Sequence, residues 1–276
     1  MITQSDIFPL DAILEKCSID TNSHISAPPV ILSIKETSIS NIYHKRLFTL
    51  GNFSCIIGKA KSKKTFLISL LTATLIKGQN NNMIGNMPSN KPLIVYFDTE
   101  QGEYDSWNVI KRITWMGGSK ENLKAFNLRA YTPKERCEII EHAFKTFKRI
   151  GYCVIDGVAD LATGINDEDE ATRVSSMLLR LTKEYGCHIS TVIHQNKNDN
   201  FATGHLGSMV MKKAEIIISV NKTDDFSKSE VKCEMSRGAD FEAFLISIND
   251  EGNPEIFEKE KKQKSHEITA ETTSPF

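Results

Sequence analysis

Short apolar runs alternate along this chain with longer segments in which apolar residues return every three or four positions. Leu93-Ile94-Val95-Tyr96-Phe97 is apolar on both parities, the pattern of a strand covered on both faces of a parallel sheet. Phe53-Ser54-Cys55-Ile56-Ile57, Tyr152-Cys153-Val154-Ile155 and residues 188–194 and 216–220 predict further strands, and residues 30–34 and part of 123–131 add two more. Between them residues 66–77, 104–116 and 168–185 predict helices. In the last, Ala171, Val174, Met177, Leu178 and Leu181 share one side, and the acidic start suits the helix dipole. Thr132-Pro133-Lys134-Glu135 predicts a helix start with a capping box, and Ile139, Ile140, Ala143, Phe144 and Phe147 then share a face.

Strands alternating with helices of this length predict a doubly wound α/β sheet, mostly parallel. Residues 231–235 and 241–248, joined by Arg237-Gly238-Ala239-Asp240, predict a closing C-terminal antiparallel hairpin at its far edge. Residues 1–45 are weakly patterned, with a short helix near 11–17, and read as an N-terminal extension packed on the core. Residues 78–92 read as a run of breakers, 157–167 and 196–203 as loops, and 258–276 as a disordered tail. The main domain is thus expected over 46–257.

The chain turns on Gly58, Lys59, Ala60, Lys61, Ser62, Lys63, Lys64 and Thr65, which lie between an apolar strand and a helix that opens at Phe66. Strand, loop and helix are the context of a phosphate-binding loop, G-x-x-x-x-G-K-[ST], in which backbone N–H groups and the helix N-terminus face an anion. Lys64 is placed to reach β- and γ-phosphates, and Thr65 to offer its hydroxyl to a magnesium ion. Lys63 stands where the pattern has its second glycine. The competing reading is a lysine-rich surface turn before a core helix.

Three more polar clusters fall at carboxyl ends of predicted strands, where doubly wound sheets bind ligands. Asp156 ends one strand, as an acid that holds magnesium does. Glu100 follows another and is the candidate to orient or deprotonate an attacking water, with Asp98 second. His194 and Gln195 end a third and are placed to sense a γ-phosphate. His188, at the other end of that strand, reads as structural.

Composition narrows the picture only a little. The 276 residues suffice for one sizeable α/β domain with appendages, and a net charge of −1 announces no global field for nucleic acid. The six cysteines form no C-x-x-C pair and read as buried small residues in a reducing compartment. With no long apolar span and no secretory signal pattern, a cytoplasmic location is expected.

The order P-loop, strand ending in Glu, strand ending in Asp, strand ending in His-Gln and hairpin bearing Arg resembles the RecA-like ATPases. It is most similar to the compact hexameric replicative helicases of plasmids and mobile elements. The residues that carry it are Gly58 to Thr65, Ile155-Asp156-Gly157, His194-Gln195 and Ser236-Arg237-Gly238. The resemblance implies ATP and Mg²⁺ as ligands, and Lys64, Thr65 and Asp156 as phosphate and magnesium residues. It implies Glu100 as general base, Gln195 as sensor and Arg237 as a finger acting on a neighbouring subunit. It also implies a homo-oligomeric ring, a hexamer as in that family, and single-stranded DNA near residues 157–167 and 196–206, where Lys197 is the sole basic residue. Two other functions fit the same residues: a RecA-fold ATPase that remodels protein partners, and a nucleotide-binding module with little turnover.

Overall fold

The computed structural model describes residues 10–37, 41–195 and 204–258. Helix α1 (Leu10–Cys17) is followed by strands β1 (Val30–Thr37), β2 (Ile42–Thr49) and β3 (Phe53–Gly58). Then come α2 (Lys64–Lys77), the short strands β4 (Gln79–Asn80) and β5 (Met83–Gly85), β6 (Leu93–Asp98), α3 (Glu103–Gly117) and β7 (Leu123–Asn127). The chain continues through α4 (Pro133–Thr146), β8 (Ile150–Asp156), a 3-10 turn at Val158–Leu161, α5 (Glu168–Tyr185) and β9 (His188–His194). It closes with α6 (Gly204–Lys213), β10 (Ile216–Lys222), β11 (Lys228–Ser236), β12 (Phe244–Ile248) and β13 (Pro254–Glu258).

The large sheet has nine strands in the order β13-β12-β11-β10-β3-β9-β8-β6-β7. The six from β10 to β7 are parallel, and β11, β12 and β13 extend the sheet antiparallel. Successive residues on the central strands serve opposite faces, as the two-residue repeat of a strand requires. Ile56, Tyr96 and Val154 join a core with α2 and α3, while Cys55, Ile57, Val95, Phe97, Cys153 and Ile155 join a second core with α4, α5 and α6. This is the doubly wound arrangement expected from the sequence.

A second sheet, in the order β2-β1-β5-β4, covers the outer side of α2. Helix α2 is therefore buried at every position from Leu67 to Leu75, as a helix enclosed on all sides must be. Its polar members are satisfied internally. The hydroxyls of Ser69, Thr72 and Thr74 each donate to the carbonyl four residues earlier, at 2.7, 2.7 and 2.8 Å.

Some sequence expectations are corrected here. The division expected between residues 45 and 46 falls inside β2, and Ile31, Leu32 and Ile34 of β1 are buried in the same core as α2. The stretch read as breakers holds β4 and β5, which complete the small sheet. The hairpin does not end the large sheet, because β13 pairs outside β12. Helix α6 occupies residues left unassigned from the sequence. The capping box at Thr132 is present in both directions, and α4 starts at Pro133. The expected loop at 196–203 with Lys197 lies outside the described residues, as does the tail from 259 onward.

His188 is the structural histidine anticipated. It is fully buried, with Nδ1 2.9 Å from the Thr49 carbonyl, Nε2 3.0 Å from Ser54 Oγ, and its ring stacked on Phe48. Burial pulls its pKa from 6.5 down to about 3. The folded pKa lies below the unfolded one, so the unfolded chain takes the proton first. This contribution to stability is complete above pH 6.5 and is lost as pH falls toward 3. His188→Leu is expected to lower stability by about 1–3 kcal/mol, the scale of leaving buried polar groups unpartnered. It is also expected to flatten the acid side of the stability profile in that window. Urea titrations of parent and variant from pH 7 to pH 4 check both outcomes.

Candidate active site

The carboxyl ends of β3, β6, β8 and β9 lie side by side. Gly58 pairs with His194 and Asp98 with Asp156, so the four polar clusters meet at one edge of the sheet. They line a cleft of about 1110 Å³ with Lys61 to Phe66 on one wall and Glu100, Asp156, Gly157 and His194 on the other.

The loop from Gly58 to Lys63 wraps this edge. Gly58 is required where it stands. A Cβ there would lie 2.5 Å from both Ser62 Oγ and the Val220 carbonyl of β10. Lys63 adopts a left-handed conformation, φ 71° and ψ 24°, directly before α2. That is the backbone the glycine of the pattern would supply, and a lysine holds it at a cost of about 1–2 kcal/mol. Its Nζ turns to the β10–β11 hairpin, 3.2 Å from the Phe226 carbonyl and 3.3 Å from Ser229 Oγ. Burial and Lys222 lower its pKa.

Lys64 Nζ lies 2.9 Å from the Gly58 carbonyl, 3.0 Å from the Lys59 carbonyl and 3.2 Å from His194 Nδ1. His194 Nε2 in turn lies 3.3 Å from Glu100 Oε2. A line of three groups thus joins the phosphate-loop lysine to the candidate base. The hydrogen bond from His194 holds the Glu100 carboxyl below its usual range. Burial lowers Lys64 from 10.5 to about 8, partly opposed by Asp156 and Glu100.

Asp156 is buried at the floor. Its Oδ2 accepts from Tyr96 Oη at 2.7 Å and from Thr65 Oγ1 at 3.2 Å. Desolvation raises its pKa from 3.8 to about 6. Asp98, the second choice for base, is occupied otherwise. Its Oδ1 accepts from the N–H groups of Glu100 and Gln101, and its Oδ2 from Gln101 Nε2 and Ser106 Oγ. It shapes the turn that presents Glu100.

Gln195 is buried, and its N–H donates to the Gly58 carbonyl at 3.1 Å, which ties the end of β9 to the loop. Arg237 is not brought to this cleft. Ser236 and Ser54 both pair with Ile216, so Arg237 stands at the opposite end of the sheet. It is about 17 Å from Gly58 along β3, at ~3.3 Å per residue. Its guanidinium donates to the Lys213 carbonyl at 3.2 Å, and its own carbonyl accepts from Arg46. A role on a neighbouring subunit's site would not bring it to its own cleft.

Sequence reasoning missed three contributors. Tyr96 reads as core but holds Asp156. Thr99 Oγ1 lies 2.8 Å from Asp160 Oδ2 and 2.9 Å from the Gly157 carbonyl, which ties the β6 and β8 turns together. Arg112 of α3 lies 3.9 Å over the Phe66 ring and donates to the Gly252 carbonyl at 3.0 Å. No short motif marks these residues, because each acts across distant segments.

The residues fit a nucleotide and a magnesium ion. Ser62 Oγ is buried with no hydrogen-bond partner among the described residues. Helix geometry leaves the N–H groups of Lys64 and Thr65 without intrahelical acceptors. No cluster of three acidic, histidine or cysteine side chains suited to a metal occurs among the described residues. Magnesium needs none, because it keeps several waters and takes one or two protein ligands plus phosphate oxygens.

Fold and site together define a P-loop protein of RecA-like α/β fold. The AAA domain family model matches residues 23–200, and the chain belongs to that family. No curated protein matches the sequence. Among solved structures the chain is similar to the RadB recombinase, with a TM-score of 0.54 and 15% identity over 78% of this chain and 94% of that one. At that identity the likeness shows the fold. No helix among the described residues is long and apolar enough to cross a membrane.

Two titrations bracket the working range. Asp156 gains its charge as pH rises through about 6, and Lys64 loses its own as pH rises through about 8. Magnesium-dependent nucleotide affinity is expected to fall below pH 6. Affinity for metal-free nucleotide is expected to fall above pH 8, and Lys64→Ala should remove that upper limb. Equilibrium titrations with a fluorescent ATP analogue between pH 5 and pH 9 check both limbs.

Proposed function

We propose that this chain is a magnesium-dependent ATPase that assembles into a homo-oligomeric ring, in hexamer form, and acts as a helicase or DNA-dependent ATPase on single-stranded DNA. Its setting would be replication or mobilisation of a plasmid or other mobile element. One observation carries the hydrolytic part: Lys64, Thr65, Asp156, His194 and Glu100 converge on one cleft from four separate strand ends.

In this reading Lys64 exchanges its contacts with the loop carbonyls for β- and γ-phosphate oxygens. The loop N–H groups from Lys59 to Thr65 cradle the phosphate chain, and Ser62 gains the partner it lacks. Phe66 and Arg112 border the far end of the cleft, where the base would lie. When bound, the magnesium ion neutralises phosphate charge, and Thr65 and Asp156 are the residues to hold it. Glu100, half-exposed and ionised, orients and deprotonates the attacking water. His194 links Glu100 to Lys64, and so relates the base to the state of the phosphate site. Gln195 passes that state toward the residues that follow β9.

The ring, the helicase activity and the mobile-element setting rest on the resemblance of the motif order; the RecA-like fold shared with a recombinase supports them. A second reading, remodelling of protein partners, is favoured by one feature. Residues 157–167 hold no Lys or Arg to track a phosphate backbone. In a cell the protein would work in the cytoplasm under either reading.

Glu100→Gln is expected to keep ATP affinity and lower turnover about 10²-fold or more, the scale of general-base catalysis. Steady-state phosphate release measured with and without single-stranded DNA at low salt tests the whole reading. Stimulation by DNA is the expected result. Turnover that ignores DNA assigns the protein to the remodelling class, and absence of turnover in the parent leaves a binding module.

A further inference from the structure

The turn that carries Glu100 is held from two sides. Asp98 fixes it from within its own segment, by accepting from the N–H groups of Glu100 and Gln101. Thr99, the residue between Asp98 and Glu100, fixes it to the end of β8. Thr99 is buried, and its N–H donates to the Asp156 carbonyl at 3.1 Å. Its hydroxyl has three acceptors within reach: the Asp156 carbonyl at 3.0 Å, the Gly157 carbonyl at 2.9 Å and Asp160 Oδ2 at 2.8 Å. A hydroxyl carries one hydrogen to share among them. Both carbonyls already accept a backbone N–H, from Thr99 and from Asp160. The carboxylate is the nearest acceptor and the charged one, so it holds the hydrogen most strongly.

Asp160 is itself held in place. Arg136 of α4 donates from Nη1 to the Asp160 carbonyl at 2.8 Å, and from Nε and Nη2 to the carbonyls of Leu128 and Arg129. Val158 and Leu161 of the same 3-10 turn are fully buried. Gly157 permits the close approach, since a Cβ there would lie 2.2 Å from Thr99 Oγ1 and 2.9 Å from Asp160 Oδ2. Asp160 lines the cleft with Glu100 and His194. Burial raises its pKa, and the Glu100 charge raises it further, so the two carboxylates are close enough to repel. Glu100 thus has one carboxylate neighbour that repels it and a histidine that bonds it.

We infer that Asp160 is a positioning residue for hydrolysis: bonded to Thr99, it fixes the turn that presents Glu100 to the attacking water. The role rests on the hydrolytic part of the proposed function and needs neither the ring nor DNA. It is separable from the fold. Asp98 and the Thr99 N–H already secure the backbone of the turn, so loss of the Asp160 bond leaves the sheet and the phosphate loop standing. What it loosens is the aim of the next residue. The Glu100 side chain is 59% exposed and has little packing of its own to aim it. Catalysis depends steeply on such aim, a misplacement of about 1 Å being able to cost about 10²-fold.

Steady-state ATPase kinetics of the full chain supply the test, with the affinity for an ATP analogue and the urea midpoint measured beside them. Asp160→Ala is expected to lower kcat about tenfold or more, with KM and analogue affinity within about twofold of the parent. Asp160→Asn keeps an acceptor for the Thr99 hydroxyl and is expected to recover most of that loss. Thr99→Val is expected to match Asp160→Ala, while Thr99→Ser, which keeps the hydroxyl, stays near the parent. The Thr99→Val/Asp160→Ala double variant is expected to be no slower than either single variant, because both cut one link. If Thr99→Val does not fold, the two Asp160 variants decide, together with hydrogen exchange at the Glu100 and Gln101 amides, which is expected to quicken in Asp160→Ala. Parent kcat in Asp160→Ala overturns the inference and leaves Glu100 as the base. Losses that multiply in the double variant, or that Asp160→Asn does not recover, overturn it as well. A fall in analogue affinity as large as the fall in kcat overturns it in favour of a general structural role. A parent without turnover overturns the hydrolytic reading and this role with it.

Discussion

Gly58 opposite His194 and Asp98 opposite Asp156 are pairings fixed by strand register, and the cleft exists only while that register holds. A slip of one residue would exchange the two faces of a strand. In β8 it would move Cys153 and Ile155 from the core under α4 and α5 to the core under α2, and would shift Asp156 off the floor. The register is held by side chains as well as by the ladder. Thr99 reaches across from β6 to the Asp156 and Gly157 carbonyls, and Tyr96 reaches Asp156 from the same strand. Closely packed alternate faces and these cross-strand bonds leave the polar groups one arrangement.

Within that frame, environment divides the work among three carboxylates. Asp98 accepts four hydrogen bonds and is spent on holding the turn after β6. Asp156 accepts from two hydroxyls in a buried setting, which leaves it with a raised pKa. Glu100 stands partly in solvent with one histidine neighbour, so it is ionised and free to meet water. Asp98 and Glu100 lie two residues apart in sequence. Their roles separate because the chain turns between them, and Asp98 makes that turn.

The parts of this arrangement legible in the sequence are those set by local pattern. Runs apolar on both parities gave the central strands, and the Thr132 capping box gave the start of α4. The positions of Lys64, Glu100, Asp156 and His194 follow from their places at strand ends. What the pattern could not carry is pairing. Residues 79–85 are short and polar, and become strands only because β1 offers an edge to them. Arg237 lies near the hairpin turn in sequence, but its distance from the loop depends on antiparallel register, which places it at the far end. Phe66 and Arg112 meet only through the packing of α2 on α3. Residues 204–213 carry two glycines and lie behind a polar stretch, which obscures the helical spacing of Leu206, Met209 and Val210, and α6 forms by burying Leu206 and Val210.

Lys63 shows how a departure from a motif is absorbed. The left-handed backbone before α2 is imposed by the loop, since the N–H groups there must turn toward one point. Glycine meets that demand without strain, while lysine pays about 1–2 kcal/mol for its Cβ. Its ammonium then makes two hydrogen bonds to the β10–β11 hairpin, each worth about 0.5–1.5 kcal/mol net. The two quantities are of the same size, so the loop keeps the glycine conformation without the glycine. The cost is moved rather than removed. The shape of the phosphate loop now depends on the hairpin at Phe226 and Ser229, whereas a glycine loop would hold its shape alone.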